Sequence, residues 1–285
     1  MQQPRSASAP DQLATAALRL RDWLAPLRRV FVLTGAGCST GSGIPDYRGA
    51  DGQWKRSSRP VMLQAFLGDE AARARYWARS FVGWPTIGRA RPNAAHQALG
   101  RWQHSGRLAQ LLTQNVDGLH QQAGSSGVID LHGRLDEVVC LQCAAREPRE
   151  AVQERLAKAN PAWIAMRALQ APDGDAELEG LDFTRFQVPA CLACTGMLKP
   201  DVVFFGENVP RRRVEAARLA LQAADALLVV GSSLMVYSGF RFAVHADALG
   251  LPVAIVNRGH TRADALATLK LEVDCTGLLP LALDS

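Results

Sequence analysis

A chain of 285 residues, 48% of them hydrophobic, has room for one large domain and a smaller module around a buried core. No apolar run approaches the roughly 18 residues of a membrane span, and the first eleven residues lack the apolar centre of a secretory signal, so an intracellular protein with no membrane partner is expected. A formal charge of +5 would permit nucleic-acid binding, but 28 of the 32 basic residues are arginines scattered along the sequence; only Arg211-Arg212-Arg213 forms a run, and no nucleic-acid partner is required.

Residues 1–10, rich in Ser, Ala, Pro and Gln, read as disordered. A helix is expected over 12–24 and a strand over 29–34, with further strands over 108–113, 128–131, 202–205, 226–230 and 252–256. Helices are expected over 93–103, 211–224 and 240–248. Near-continuous apolar strands alternating with helices predict an α/β fold with a doubly wound parallel sheet. Two stretches break the alternation: 51–84, helical in pattern, and 135–200, which carries both cysteine pairs. The domain reading is therefore a tail and helix over 1–28, a Rossmann-like domain over 29–50, 94–134 and 201–285, and a small domain made of a helical module, 51–93, and a cysteine module, 135–200.

The first strand feeds a glycine-rich turn, Gly35-Ala36-Gly37-Cys38-Ser39-Thr40-Gly41, continuing to Gly43-Ile44-Pro45-Asp46-Tyr47-Arg48. Such a turn lets backbone N–H groups approach a nucleotide phosphate. The hydride-transfer fingerprint Gly-x-Gly-x-x-Gly fails, because Thr40 stands at the third glycine and no carboxylate follows about twenty residues on. Cys140-x-x-Cys143 and Cys191-x-x-Cys194 supply two knuckles of a closed tetrahedral zinc site; with every position filled by protein the metal is structural. Polar clusters follow other strands: Gln114-Asn115-Val116-Asp117 suits a carboxamide, and His132 lies at the same edge beside Gly133. Gly231-Ser232-Ser233 and Asn257-Arg258-Gly259 are small polar loops for a phosphate or ribose. His120 reads as structural.

Taken in order, these motifs resemble the sirtuins, NAD-dependent protein deacylases, over nearly the whole chain from Arg29 to Leu279. Residues 75–84 and 199–207 look most like class II, the class of the mitochondrial lipoamidase and ADP-ribosyltransferase sirtuin of animals. The resemblance implies NAD as a consumed co-substrate and one structural zinc. NAD would contact Gly35, Ala36, Gly37, Ser39, Asp46, Tyr47, Arg48, Gln114, Asn115, Asp117, Gly231, Ser232, Ser233, Asn257, Arg258, Gly259 and Cys275. It further implies that Asn115 and Asp117 orient nicotinamide, that the acyl oxygen attacks the anomeric carbon as nicotinamide leaves, and that His132 is general base on a ribose hydroxyl. Lysine, nicotinamide and O-acyl-ADP-ribose are the products. An acyl-lysine protein substrate would pair as a strand between Gly206-Glu207 and the loop around Val236-Tyr237, with Val203, Phe204 and Phe205 also at the substrate site. The protein is expected as a monomer, in a bacterial cytoplasm or, in a eukaryote, the mitochondrial matrix. Mono-ADP-ribosyl transfer and NAD-dependent regulation with weak turnover are the competing functions.

Two departures qualify the likeness. Cys38 replaces an aliphatic residue common after Gly-Ala-Gly, and Ser238-Gly239 stands where many relatives carry Pro and a hydrophobic residue. Tyr76 and Arg79, three apart on one helix face, resemble the Tyr-x-x-Arg pair by which class III sirtuins hold acidic acyl chains. Longer or acidic acyl groups are accordingly expected to leave faster than acetyl; the alternative is an amphipathic helix with a solvated arginine.

Overall fold

The computed structural model describes residues 9–46, 60–166, 169–170, 175–178 and 181–284. Helix α1 (Ala9–Leu24) precedes β1 (Val30–Thr34), after which the chain runs through α2 (Leu63–Gly68), α3 (Glu70–Arg89), α4 (Ala94–His104), β2 (Leu108–Thr113), the single turn α5 (Leu119–Gln122) and β3 (Ile129–Asp130). The cysteine-bearing stretch holds β4 (Gly133–Cys140), β5 (Arg146–Pro148), α6 (Arg149–Ala159), the short hairpin β6 (Leu169–Gln170) and β7 (Ala176–Glu177), and β8 (Leu198–Val202). The chain closes with α7 (Arg211–Gln222), β9 (Ala226–Val230), α8 (Tyr237–Ala248), β10 (Val253–Val256), β11 (Leu269–Leu271) and α9 (Cys275–Leu283).

Strand β1 is buried at every position because both faces of its sheet are covered. Successive side chains point to opposite faces: Val30 and Val32 pack on α1, α4 and α9, whereas Phe31 and Leu33 pack on α7 and α8. The same division repeats in β9 and β10, with Leu228, Val230, Ala254 and Val256 on one side and Leu227, Val229, Val253 and Ile255 on the other. The result is a six-stranded sheet of order β11-β10-β9-β1-β2-β3, parallel throughout, as the apolar runs predict. Strand order reverses beside β1, since β2 lies on one side of it and β9 on the other. Loops leaving the two strands part there and open a crevice at their carboxyl ends.

One expected strand falls elsewhere. The stretch 202–205 is not part of the parallel sheet; β8 ends at Val202 and pairs antiparallel with β4 in a separate sheet of order β5-β4-β8. Val203 then gives its N–H to the His132 carbonyl at 2.7 Å, and Phe205 bridges Met62, so its apolar run lies between the two sheets. Helices α2, α3 and α6 cover the smaller sheet through a third apolar cluster around Phe66, Trp77, Val138 and Leu198. Arg149 is fully buried there, its guanidinium over the rings of Trp77 and Trp84 at 5.4 and 5.1 Å. Ile44, Trp84, Ile87, Leu119 and Leu135 join the two parts.

Candidate functional site

A cavity of about 1080 Å³ lies at the carboxyl ends of the parallel strands, lined by the loops after β1, β2, β9 and β10 and by the start of α9. Its size is at the upper end for small-molecule sites. Two loops form its floor by approaching without side chains. Gly231 has φ +59°, and a Cβ there would stand 2.4 Å from the Cys38 nitrogen; the Gly37 N–H reaches the Gly231 carbonyl at 2.8 Å. Cys275, the first residue of α9, donates its thiol to the Gly37 carbonyl at 3.5 Å, and that bond ties the helix start to the turn. Gly35, Ala36, Gly37, Asp46, Gln114, Asn115, Gly231, Ser232, Ser233, Asn257, Arg258, Gly259 and Cys275 all face the cavity. Tyr47 and Arg48 lie outside the described residues.

Ser39 and Asp117 work from behind this wall. The Ser39 hydroxyl donates to Asp117 Oδ2 at 2.7 Å and accepts from Asn115 Nδ2 at 3.0 Å, while the same amide donates to the Gly35 carbonyl at 3.0 Å. Asp117 borders a second cavity of about 450 Å³ and is linked through Ser39 to Asn115, which lines the first. The loop has a further anchor in Asn93, which sequence reading treats only as a helix start. Its Nδ2 donates to the Cys38 carbonyl at 2.8 Å and to Ser42 Oγ at 3.0 Å, and its carbonyl oxygen caps α4. The Asn at a helix start and the Ser-rich turn are its only sequence signals. His120 is structural, buried with Nε2 2.8 Å from Thr34 Oγ1.

His132 sits on the cavity wall with both ring nitrogens engaged. Nδ1 is 2.9 Å from the Gln114 carbonyl and Nε2 is 2.8 Å from Ser238 Oγ. A carbonyl only accepts, so the proton is on Nδ1 and the Nε2 lone pair accepts from Ser238. Burial lowers the imidazole to about 4, against the Gln114 bond and helped by Arg213 and Arg241, leaving a neutral base at physiological pH. Ser238 is a contact that sequence reading missed, since 106 residues separate the pair.

Val203, Phe204, Phe205, Gly206, Glu207, Val236 and Tyr237 border the same cavity. Glu207 is fixed by Lys199 Nζ at 3.0 Å and by the Phe204 N–H at 2.8 Å, and Val236 and Tyr237 are exposed at the start of α8. Tyr76 and Arg79 part company. Tyr76 lines the cavity, its ring 4.8 Å from that of Phe204. Arg79 does not line it; its guanidinium is 3.9 Å from Asp175, and both are buried.

The four cysteines converge. Their Sγ atoms all lie within 4.8 Å of one another, with Cys140 to Cys194 at 3.5 Å and Cys143 to Cys191 at 3.7 Å. Four sulfurs about 2.3 Å from a tetrahedral zinc stand about 3.8 Å apart, so the set fits structural zinc. A second group, Cys38, His96 and His120, is as close but fails as a ligand set. His96 Nδ1 accepts the Asn93 N–H at 3.3 Å, which leaves the proton on the Nε2 that would have to bind metal. Cys38 instead fills apolar space at 0% exposure.

Residues 35–238 match the model of the Sir2 family. The chain is 60% identical over 260 residues to an NAD-dependent protein deacetylase of Bordetella bronchiseptica, a match covering 91% of this chain and 94% of that one. It is 53% identical over 242 residues to NAD-dependent protein deacetylase 1 of Streptomyces coelicolor, covering 85% and 81%. Among solved structures it is similar to a Sir2 complex with a p53 peptide and NAD+, at TM-score 0.73 and 31% identity over 92% of this chain and 95% of that one. Sir2 bound to acetylated peptide gives a TM-score of 0.75 and 30% identity over 94% and 97%.

Proposed function

This chain belongs to the Sir2 family, and from that premise we propose that it is an NAD-dependent protein lysine deacylase, with acetyl-lysine as its first substrate. The observation that carries the reading is His132: a neutral imidazole whose Nε2 lone pair lies on the wall of a dinucleotide-sized cavity. When bound, NAD supplies an ADP-ribosyl group that takes the acyl group from lysine as nicotinamide leaves. Ala36 and Ser232 would receive its diphosphate on backbone N–H groups, the N–H groups of Gly35, Gly37 and Gly231 being engaged with carbonyls, and the first turn of α9 at Cys275 lines the same cavity. Asn115, held through Ser39 to Asp117, fixes the Gly35 carbonyl and with it the wall at the nicotinamide end. His132 accepts the proton of the attacking hydroxyl at Nε2.

On this reading the peptide would pair as a strand between Gly206-Glu207 and Val236-Tyr237, where main-chain pairing gives affinity independent of sequence. The class II likeness of residues 75–84 and 199–207 rests on sequence, and the two relatives above are bacterial. Tyr76 gives the acyl end an aromatic wall with Phe204. Arg79 would reach an acidic acyl chain only by leaving Asp175, so acetyl and uncharged chains suit this wall better than glutaryl-like ones.

One experiment tests the reading. Acetyl-, lipoyl-, biotinyl- and glutaryl-lysine versions of one peptide are incubated with and without NAD, using the wild type and Arg79→Ala, and the products are followed by mass spectrometry. Nicotinamide and O-acetyl-ADP-ribose in equal amounts, with an acetyl preference that Arg79→Ala leaves in place, are expected. A glutaryl preference abolished by that substitution would restore the acidic reading, and labelled NAD fixed on protein without O-acetyl-ADP-ribose would replace deacylation by ADP-ribosyl transfer.

A further inference from the structure

The Ser238 hydroxyl sits on the one lone pair that the proposed base uses. That base is constrained from two elements. The loop after β2 holds Nδ1 through the Gln114 carbonyl, and the first turn of α8 brings Ser238 Oγ to Nε2. The two elements are locked together. The Gln114 side chain packs on the Gly239 backbone, where a Cβ would stand 2.4 Å from Gln114 Nε2, and Gln114 Oε1 accepts the Ser232 hydroxyl at 2.6 Å. Ser238 is therefore delivered to His132 by a part-buried joint between α8 and the strand ends.

We propose that Ser238 is a positioning residue for His132: its hydroxyl holds the imidazole in the Nδ1–H tautomer with Nε2 toward the cavity, and yields that lone pair to the reacting hydroxyl. The inference rests on the deacylase reading for the identity of that hydroxyl. A serine hydroxyl both donates and accepts, and a turn about the Cα–Cβ bond swings Oγ off the Nε2 lone pair so that the substrate oxygen can take its place. The proton then passes from the substrate hydroxyl to Nε2, the electron pair of the broken O–H bond stays on the substrate oxygen, and Ser238 can accept from the new Nε2–H. No methyl or proline side chain offers either interaction.

The sign of the effect on titration follows. Ser238 donates to the neutral imidazole and so opposes protonation, in the same sense as burial and as Arg213 from α7 and Arg241 from α8. Glu207 across the cavity is engaged by Lys199 and the Phe204 N–H. Removing the hydroxyl takes away a donor to the neutral form and lets water nearer the ring, and both changes raise the value of His132 toward its ordinary range.

The test compares wild type, Ser238→Ala and Ser238→Thr, reading the His132 ring by NMR titration of the ligand-free protein and then kcat and KM for acetyl-peptide and NAD across pH. In Ser238→Ala the ring should titrate about one pH unit higher. Its kcat should fall about tenfold, the size of one hydrogen bond, with both KM values nearly unchanged, and Ser238→Thr should restore ring and rate. An Ala variant that titrates like wild type, or a loss in kcat and KM together that Thr does not rescue, would overturn the proposal. If the wild type shows no deacylation, the functional reading fails, while the ring titration still decides whether Ser238 controls His132.

Discussion

The strand-end site and the cysteine lobe both hold polar atoms in fixed arrays, by opposite means. At the strand ends each functional atom is placed by backbone: Asn115, Gln114 and Gly231 leave buried parallel strands, the side chains of Asn115 and Gln114 bond carbonyls and hydroxyls of the neighbouring loops, and the Gly231 carbonyl accepts the Gly37 N–H. In the lobe the register between β4 and β8 shifts between Gly133 and Val138, and the Cys140 and Cys191 knuckles are brought together through thiols that zinc would bind. The first array is pre-organised by the fold, whereas the second is completed by a metal. Breaking one should spare the other.

Chelation offers the largest expected effect. Structural zinc contributes on the order of 10 kcal/mol in isolated fingers, and here it spans Cys140, Cys143, Cys191 and Cys194 across the β4 and β8 ends. Treatment with a strong chelator, or Cys191→Ser, should expose the amides of β4, β5 and β8 to hydrogen exchange while β1, β9 and β10 stay protected. Uniform loss of protection would show that the two arrays are one cooperative unit.

Next comes His132→Ala, for which deacylation should fall by about two to four orders of magnitude, the range of a general base, with the far-UV circular dichroism spectrum unchanged. Rate retained within a few-fold would remove His132 from the chemistry. Gly239→Ala is a smaller perturbation of the same array. Its new Cβ meets Gln114 Nε2 at 2.4 Å, and overpacking of this kind costs about 1–3 kcal/mol. Gln114 must shift, taking with it the carbonyl that orients His132, so kcat should drop about tenfold with KM for the peptide less affected. An equally active, equally stable variant would mean that the joint between α8 and the strand ends is looser than its packing indicates.

Legibility in the sequence divides along the same line. Strands β1, β2, β9 and β10 are apolar runs buried on both faces, so they show in composition alone, and the motifs at their carboxyl ends are local. Strand β4 is hidden, because the adjacent charges of Asp136-Glu137 break its apolar pattern and one of its two partners, β8, is more than fifty residues away. The run 202–205 misleads for a related reason: its apolar side chains face the boundary between two sheets instead of lying within one. The cysteine spacing announces zinc, since the ligand chemistry is in the residue type. Asn93, Ser238 and the Arg79 to Asp175 pair were not legible, because each depends on a neighbour brought by tertiary packing.

Acid should loosen the two arrays in the opposite order to chelation. No histidine lies between residues 135 and 200, whereas His96, His120 and His132 are all at the strand ends and all lowered by burial, His132 to about 4. Above the ordinary value near 6.5 neither the folded nor the unfolded state carries these protons, and the groups contribute nothing to stability. As pH falls below it the unfolded chain takes up protons that the folded site refuses, so stability declines by about 1.4 kcal/mol per pH unit for each proton until the folded values are reached. Asp130, raised by burial, acts in the opposite sense and offsets part of this loss. Asp264, which burial pushes up but Lys270 and Thr261 pull down to about 2, loses its contribution only at lower pH. Between pH 7 and 5 the melting temperature should therefore fall. Hydrogen exchange at pH 5.5, corrected for intrinsic rates, should show the loss first in the loops after β1 and β2, with β4 and β8 still protected. A flat melting temperature across that interval would show that the buried imidazoles reach solvent in the folded state.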